Sequence, residues 1–171
     1  NDPTKRYYYT LLFDDKYRVK IATRNINIPG VQNFRDLGGY PSYSTKKQMR
    51  WGMIYRSAEI DSLECSSRRE LKNLGIKTLI DLRASSEIGR QSPLQKGFNV
   101  VHIPLATGDM EGILKGIREE KIKCDTVYRM VERMNRVLID QYTKEYRQIF
   151  DILLDKNSYP VVIHLSLIHI S

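Results

Sequence analysis

Cysteine is scarce: the 171 residues hold two, Cys65 and Cys124, too few for a disulfide framework. Histidine is nearly as rare, at three, and no Cys/His spacing suits a structural zinc ion, so neither metal nor cofactor is expected. No charge-free apolar run is long enough to cross a bilayer, and the mean hydropathy is −0.46. Low-complexity tracts and internal repeats are missing too. What remains is a globular composition, 41% apolar and 28% charged, at the length of one domain. Acidic residues run short of basic ones, 20 against 28, and the formal charge of +8 points to an anionic partner such as a phosphate, a phospholipid headgroup or a nucleic acid.

Neither end reads as the boundary of a domain. The chain opens at Asn1 without a Met or a signal-peptide pattern, and residues 165–171 prolong an apolar run with no turn, cap or polar tail. The expected layout is a β-hairpin appendage over 1–25, the N-terminal part of an α/β domain over 26–164, and a non-native tail over 165–171. The C-terminal part of the domain is expected to be missing.

Two β-rich runs, 7–13 and 17–23, flank Asp14-Asp15-Lys16 and predict a hairpin whose turn has no glycine. Gly38-Gly39 marks a loop, 49–56 a strand, and a helix follows with Ser66 or Ser67 as its cap, Leu71 and Leu74 inward, and Gly75 at the left-handed C-terminal position. Residues 76–82 and 99–104 predict strands, and the basic stretch 108–123 a mobile helix or lid. From 125 to about 154 apolar residues recur at steps of three and four, which predicts one long amphipathic helix. Asn157, Ser158 and Pro160 end it before a strand over 161–165. This alternation predicts an α/β fold with a mostly parallel central sheet flanked by helices. Ligands of such sheets sit beyond the carboxyl ends of the strands, so Asp81-Leu82-Arg83, the turn after Pro104 and the residues after His164 should converge on an anion site.

Four ordered segments carry a family resemblance: Asn33-Phe34-Arg35-Asp36-Leu37-Gly38-Gly39-Tyr40, Trp51-Gly52-Met53-Ile54-Tyr55-Arg56-Ser57, Leu74-Gly75-Ile76-Lys77-Thr78-Leu79-Ile80-Asp81-Leu82-Arg83 with Glu87, and Pro160-Val161-Val162-Ile163-His164. Together they resemble the bacterial protein tyrosine phosphatase family, cysteine-dependent enzymes of tyrosine, dual-specificity and phosphoinositide type, over roughly residues 26–164. The resemblance implies a cysteine-phosphatase-like fold and hydrolysis of phosphomonoesters through a phosphocysteine intermediate, with no cofactor. In the family the strand ending in His is followed by a Cys that opens a Cys-x5-Arg loop. Here Leu165 follows His164. Six positions after Cys65 stands Leu71, and six after Cys124 stands Met130, so neither thiol opens such a loop and both are expected to be structural. Arg129 comes one position early, with no glycine between it and Cys124.

The resemblance implies Asp109, in the turn after Pro104, as general acid; a helix N-cap is the plain alternative. It places Arg35, Asp36 and Arg56 as substrate-binding residues, against a loop salt bridge for the first two and a surface charge for the third. Asp81 and Arg83 take a supporting role or pair with each other, and His164 supports the nucleophile loop or is a packed core residue. Tyr142, Tyr146 and Arg147 read as core and solvated face, and Lys115, Arg118, Lys121 and Lys123 as a solvated face. Expected partners are phosphotyrosine proteins or other phosphomonoesters, phosphoinositides included, and no nucleic acid, for which no motif exists. The chain itself, without a thiol after His164, is expected to be inactive. The alternative is a non-catalytic, anion-binding pseudophosphatase module.

Overall fold

The computed structural model describes residues 6–60, 63–85, 97–105, 116, 119 and 124–165. Its first elements are β1 (Tyr8–Phe13) and β2 (Tyr17–Ala22), an antiparallel hairpin that stands as a sheet of its own. The turn closes through the Lys16 N–H, which donates to the Phe13 carbonyl at 3.0 Å. Asp14 and Asp15 take the positive φ values, 49° and 52°, that glycine would otherwise supply. Aspartate tolerates that region better than most residues, which is how a glycine-free turn forms.

The main sheet has the order β3-β4-β7-β5-β6, from β3 (Arg35–Asp36), β4 (Ile54–Ser57), β5 (Thr78–Asp81), β6 (Asn99–His102) and β7 (Val161–His164). All neighbours run parallel except the short edge strand β3. β7 comes last in sequence and sits in the middle, where both faces are covered; Val161 and Val162 are fully buried, as a parallel sheet requires. One face packs Tyr55, Leu79 and Val162 under α1 (Cys65–Asn73) and the loop carrying Ile28, Val31 and Phe34. The other packs Ile80, Val161 and Ile163 against α2 (Cys124–Gln141) and α3 (Thr143–Leu154), chiefly through Leu138, Tyr142, Tyr146 and Ile149. No helix among the described residues is long and apolar enough to cross a membrane.

Several expected boundaries need correction. The strand expected over 49–56 begins only at Ile54, because residues 51–53 form a turn whose Gly52 N–H is taken by the Asp36 carboxylate at 2.8 Å, not by a sheet ladder. The strands expected over 76–82 and 99–104 shrink to Thr78–Asp81 and Asn99–His102. Neither Ser66 nor Ser67 caps α1: the N-cap is Glu64, without a side-chain bond, and the Ser67 hydroxyl is buried and donates to the Pro29 carbonyl at 2.5 Å. Gly75 does take the left-handed position after α1, at φ 74°. The single long helix is two, broken at Tyr142 (φ −106°, ψ 29°). Tyr142 still packs on the core between them, so the apolar spacing continues across a break that periodicity does not register. The basic stretch 108–123 lies outside the described residues apart from 116 and 119.

Candidate active site at the carboxyl edge of the sheet

Strand register brings four polar residues into one row at the carboxyl edge. Ser57 of β4 pairs with His164 of β7, His164 with Asp81 of β5, and Asp81 with His102 of β6. They share the face of Tyr55, Val162, Leu79 and Val100, one step beyond the last apolar layer, so the core beneath holds them rigidly. The chain closes over the row: Leu82 N–H donates to the His164 carbonyl at 2.9 Å, Ile103 N–H to the Asp81 carbonyl at 2.9 Å, and Leu105 N–H to the Leu82 carbonyl at 3.1 Å.

Behind the row lies a buried ion cluster. Arg83 is fully buried; its Nε donates to both Asp81 carboxylate oxygens, at 3.0 and 3.1 Å, and its Nη2 to Oδ2 at 2.9 Å. Its Nη1 donates to Glu59 Oε1 at 2.9 Å, and the Arg83 N–H to Asp81 Oδ1 at 3.0 Å. A buried guanidinium needs this much compensation, since desolvation otherwise exceeds the attraction of a single partner. His102 Nε2 donates to the Arg83 carbonyl at 2.8 Å, which fixes the backbone on the far side. Burial pushes the Asp81 carboxyl up, but the hydrogen bonds and charge of Arg83, with His164 nearby, outweigh it and hold the carboxyl below its ordinary range.

His164 is fully buried, with Nδ1 3.8 Å from Asp81 Oδ1. Burial pushes its pKa down to about 4; Asp81 pulls it up and Arg83 down, so the ring is neutral at pH 7. Neither ring nitrogen, nor the buried Ser57 hydroxyl beside it, has a hydrogen-bond partner among the described residues. Ser57, His164 and Asp81 come in the order of a nucleophile triad, yet Ser57 makes no hydrogen bond to the ring and is buried, so it lacks both a base and access.

The remaining sequence candidates distribute unevenly. Arg56 is exposed at the penultimate position of β4, and Arg35, also exposed, stands opposite it on β3. Asp36 lies one step toward the amino end, opposite Tyr55, and is fully buried. Its carboxylate accepts Gly38 N–H at 2.7 Å and Gly52 N–H at 2.8 Å and pairs with Arg6 at 2.8 Å, not with Arg35. Arg24 Nη1 donates to the Asp36 and Gly38 carbonyls, each at 2.9 Å, while its guanidinium lies 4.1 Å over the Tyr40 ring. Trp51 covers Gly38 so closely that a Cβ there would sit 2.4 Å from the Trp51 Cα. The Arg-Asp-Leu-Gly-Gly motif is thus a braced knot beside β4. Tyr142 and Tyr146 are half-buried and pack against the helix-side core. Asp109, Lys115, Arg118, Lys121 and Lys123 lie outside the described residues, as does the side chain of Cys124. Cys65 is exposed at the start of α1, which corrects the expectation of a structural thiol. Leu165, directly after His164, is half-buried against the helix-side core. Among the described residues no group of three potential ligands can hold a metal ion.

Sequence reasoning missed Ser57, Glu59, His102 and Arg6. The first three are set by register between strands far apart in the chain, and a signal for Ser57 and Glu59 existed in their closeness to Arg56.

The model of the tyrosine phosphatase family matches residues 26–166, most of the chain and all of the five-stranded sheet. The chain belongs to the tyrosine phosphatase family. It is also similar to the triple specificity protein phosphatase PtpB of Mycobacterium tuberculosis, at 38% identity over 79 residues, 45% of this chain and 27% of that protein. The chain therefore spans only about a quarter of that phosphatase by sequence match.

Proposed function

We propose that this fold serves phosphomonoester hydrolysis through a phosphocysteine, acting on phosphotyrosine proteins and also on phosphoserine, phosphothreonine or phosphoinositides. The observation that carries the reading is a trio of buried polar atoms at the carboxyl ends of β7 and β4, His164 Nδ1 and Nε2 and Ser57 Oγ, which have no hydrogen-bond partner among the described residues and lie beside the position where the resemblance places the thiol. Buried polar atoms call for partners. A neutral His164 has one N–H to give and one lone pair to receive, and a loop following β7 would take both. Asp81, held by Arg83, which in turn pairs with Glu59, lies 3.8 Å from the ring on its other side. Donation to a thiolate lowers its pKa, and positive charge from the exposed Arg35 and Arg56 draws the phosphate dianion toward the edge. Asp36 acts indirectly, by bracing the loop that carries Arg35. Asp109 is the proposed general acid, protonating the departing phenolate. The similarity to a triple specificity phosphatase supports a broad substrate range.

With Leu165 where that thiol would stand, the 171 residues by themselves are proposed to have no turnover. Incubation with p-nitrophenyl phosphate should release no nitrophenol above the blank; turnover abolished by thiol alkylation would overturn this. The packing of Leu165 on the core favours a second reading, a non-catalytic anion-binding module. Resequencing the gene from codon 164 across its 3′ end decides between them: continuation after His164 into a Cys-x5-Arg segment supports the enzyme, and a stop codon after Ser171 supports the module. Calorimetric binding of inorganic phosphate by the 171 residues would likewise favour the module.

A further inference from the structure

The segment 40–50, between β3 and β4, folds back on itself as a small finger. Met49 N–H donates to the Tyr40 carbonyl at 2.9 Å, and Ser42 N–H to the Lys47 carbonyl at 2.7 Å. At the tip Tyr43 is 94% exposed, in a segment with three cations, Lys46, Lys47 and Arg50, and no acidic residue. The base of the finger walls a cleft of about 420 Å³ lined by Met49, Arg50, Met53, Ile54, Lys156 and Tyr159. Four of these are apolar or aromatic, and the other two are cations. Met53 and Tyr159 precede the amino ends of β4 and β7, and the Met53 carbonyl accepts the Val161 N–H at 2.8 Å. The cleft is thus built on the sheet and opens at the edge opposite the polar row. Lys46, Lys47, Arg50 and Lys156 are exposed and form no ion pair among the described residues.

We propose that this edge docks on a membrane surface of anionic lipid, with Tyr43 among the headgroups, the apolar cleft against the first methylenes of an acyl chain, and Arg50 and Lys156 on the lipid phosphates. Charge and apolar surface lie together here, and that combination selects the occupant. Lysine and arginine lay their stems along apolar surface while their charged ends reach outward, and a tyrosine ring with a wet hydroxyl suits the boundary between headgroups and chains. A soluble phosphate or a nucleic acid would engage the cations and leave the methionine-lined cleft empty, whereas an anionic lipid fills both. The attraction is modest: four cations near an anionic surface correspond to half-saturation at about 1 mM accessible lipid, a reversible contact. Docking here leaves the carboxyl edge uncovered and does not depend on its chemistry.

Co-sedimentation of the whole 171-residue chain with phosphatidylcholine vesicles carrying about 30% phosphatidylserine tests this. Half of the protein should pellet at about 1 mM accessible anionic lipid in low salt, and pure phosphatidylcholine should bind at least about tenfold more weakly. Arg50→Gln with Lys156→Gln should weaken binding at least about tenfold, and Tyr43→Ser and Met49→Ser about threefold each. Removing two exposed cations from α1 instead, Arg69→Gln with Lys72→Gln, should change it less than about twofold, because salt screens charges that do not touch the surface. Circular dichroism should show every variant folded, since all these side chains lie outside the two core clusters. Failure to pellet, equal pelleting on both kinds of vesicle, or equal losses from the two double variants would overturn the proposal. Saturable calorimetric binding of monomeric octanoate without pelleting would overturn the membrane as occupant and assign the cleft to a soluble anionic amphiphile.

Discussion

At the scale of single residues, the carboxyl edge is governed by the cost of burying charge. His164 takes its proton near 6.5 in the unfolded chain but only near 4 in the fold, where burial disfavours the imidazolium. Protonation therefore favours unfolding. The stability that the neutral ring contributes is whole above pH 6.5 and shrinks as pH falls from 6.5 toward 4, by about 3 kcal/mol in total. Asp81, held below the ordinary carboxylate range, adds its own loss only at lower pH. Urea unfolding followed from pH 7.5 to 4 should show this slope, and His164→Gln should remove most of it even though the variant starts from a lower midpoint. An unchanged slope in that variant would show that the ring is not the titrating group.

The Asp81–Arg83 pair gives a second test at this scale. Asp81→Asn deprives a fully buried guanidinium of its bidentate carboxylate and should cost about 3–5 kcal/mol. Replacing both charges together, Asp81→Leu with Arg83→Met, should cost markedly less than the single change, and equal losses would mean that the pair is not a buried charge couple. The sequence made Asp81, Arg83 and His164 legible because they sit in short motifs at strand ends. Glu59 and His102 were not legible, since only the register of β4, β5 and β6 brings them to Arg83.

At the scale of elements, close approach decides more than propensity. The loop 35–40 is held by Asp36 and Arg24 against Trp51, and Gly38 is where the two backbones meet, with no room for a methyl group. Gly38→Ala should destabilise by at least about 2 kcal/mol, since the clash is with backbone, and should blue-shift or quench Trp51 fluorescence as the indole moves. Gly75→Ala makes the contrast: a Cβ there meets only Pro160 Cγ at 4.0 Å, so its cost is the left-handed φ alone, about 1 kcal/mol. Equal losses would show that Trp51 yields without cost. Gly75 was readable from the sequence because a helix that stops needs such a residue. The knot at Gly38 and the break at Tyr142 were not, because both depend on what packs across, which neither spacing nor propensity encodes.

At the scale of the whole molecule, burial is concentrated at β7 and its two neighbours and thins outward. Leu79, Ile80, Val161 and Val162 are fully enclosed, whereas α2 carries exposed Tyr128 and Ile139, and every residue of β1 is exposed. The α/β order of the chain was legible from alternating patterns, but the placing of its last strand at the centre was not, because order in a sheet follows contacts remote in sequence. That placing has a kinetic corollary: the sheet is incomplete until residues 161–164 arrive, so its amides should exchange only through global unfolding, while α2 and the hairpin open locally. Hydrogen exchange at low protein concentration should show amides of β5 and β7 slower than those of β1, β2 and α2 by about two orders of magnitude or more. Protection of β1, β2 and α2 equal to that of β5 and β7 would show instead that the chain opens as one unit.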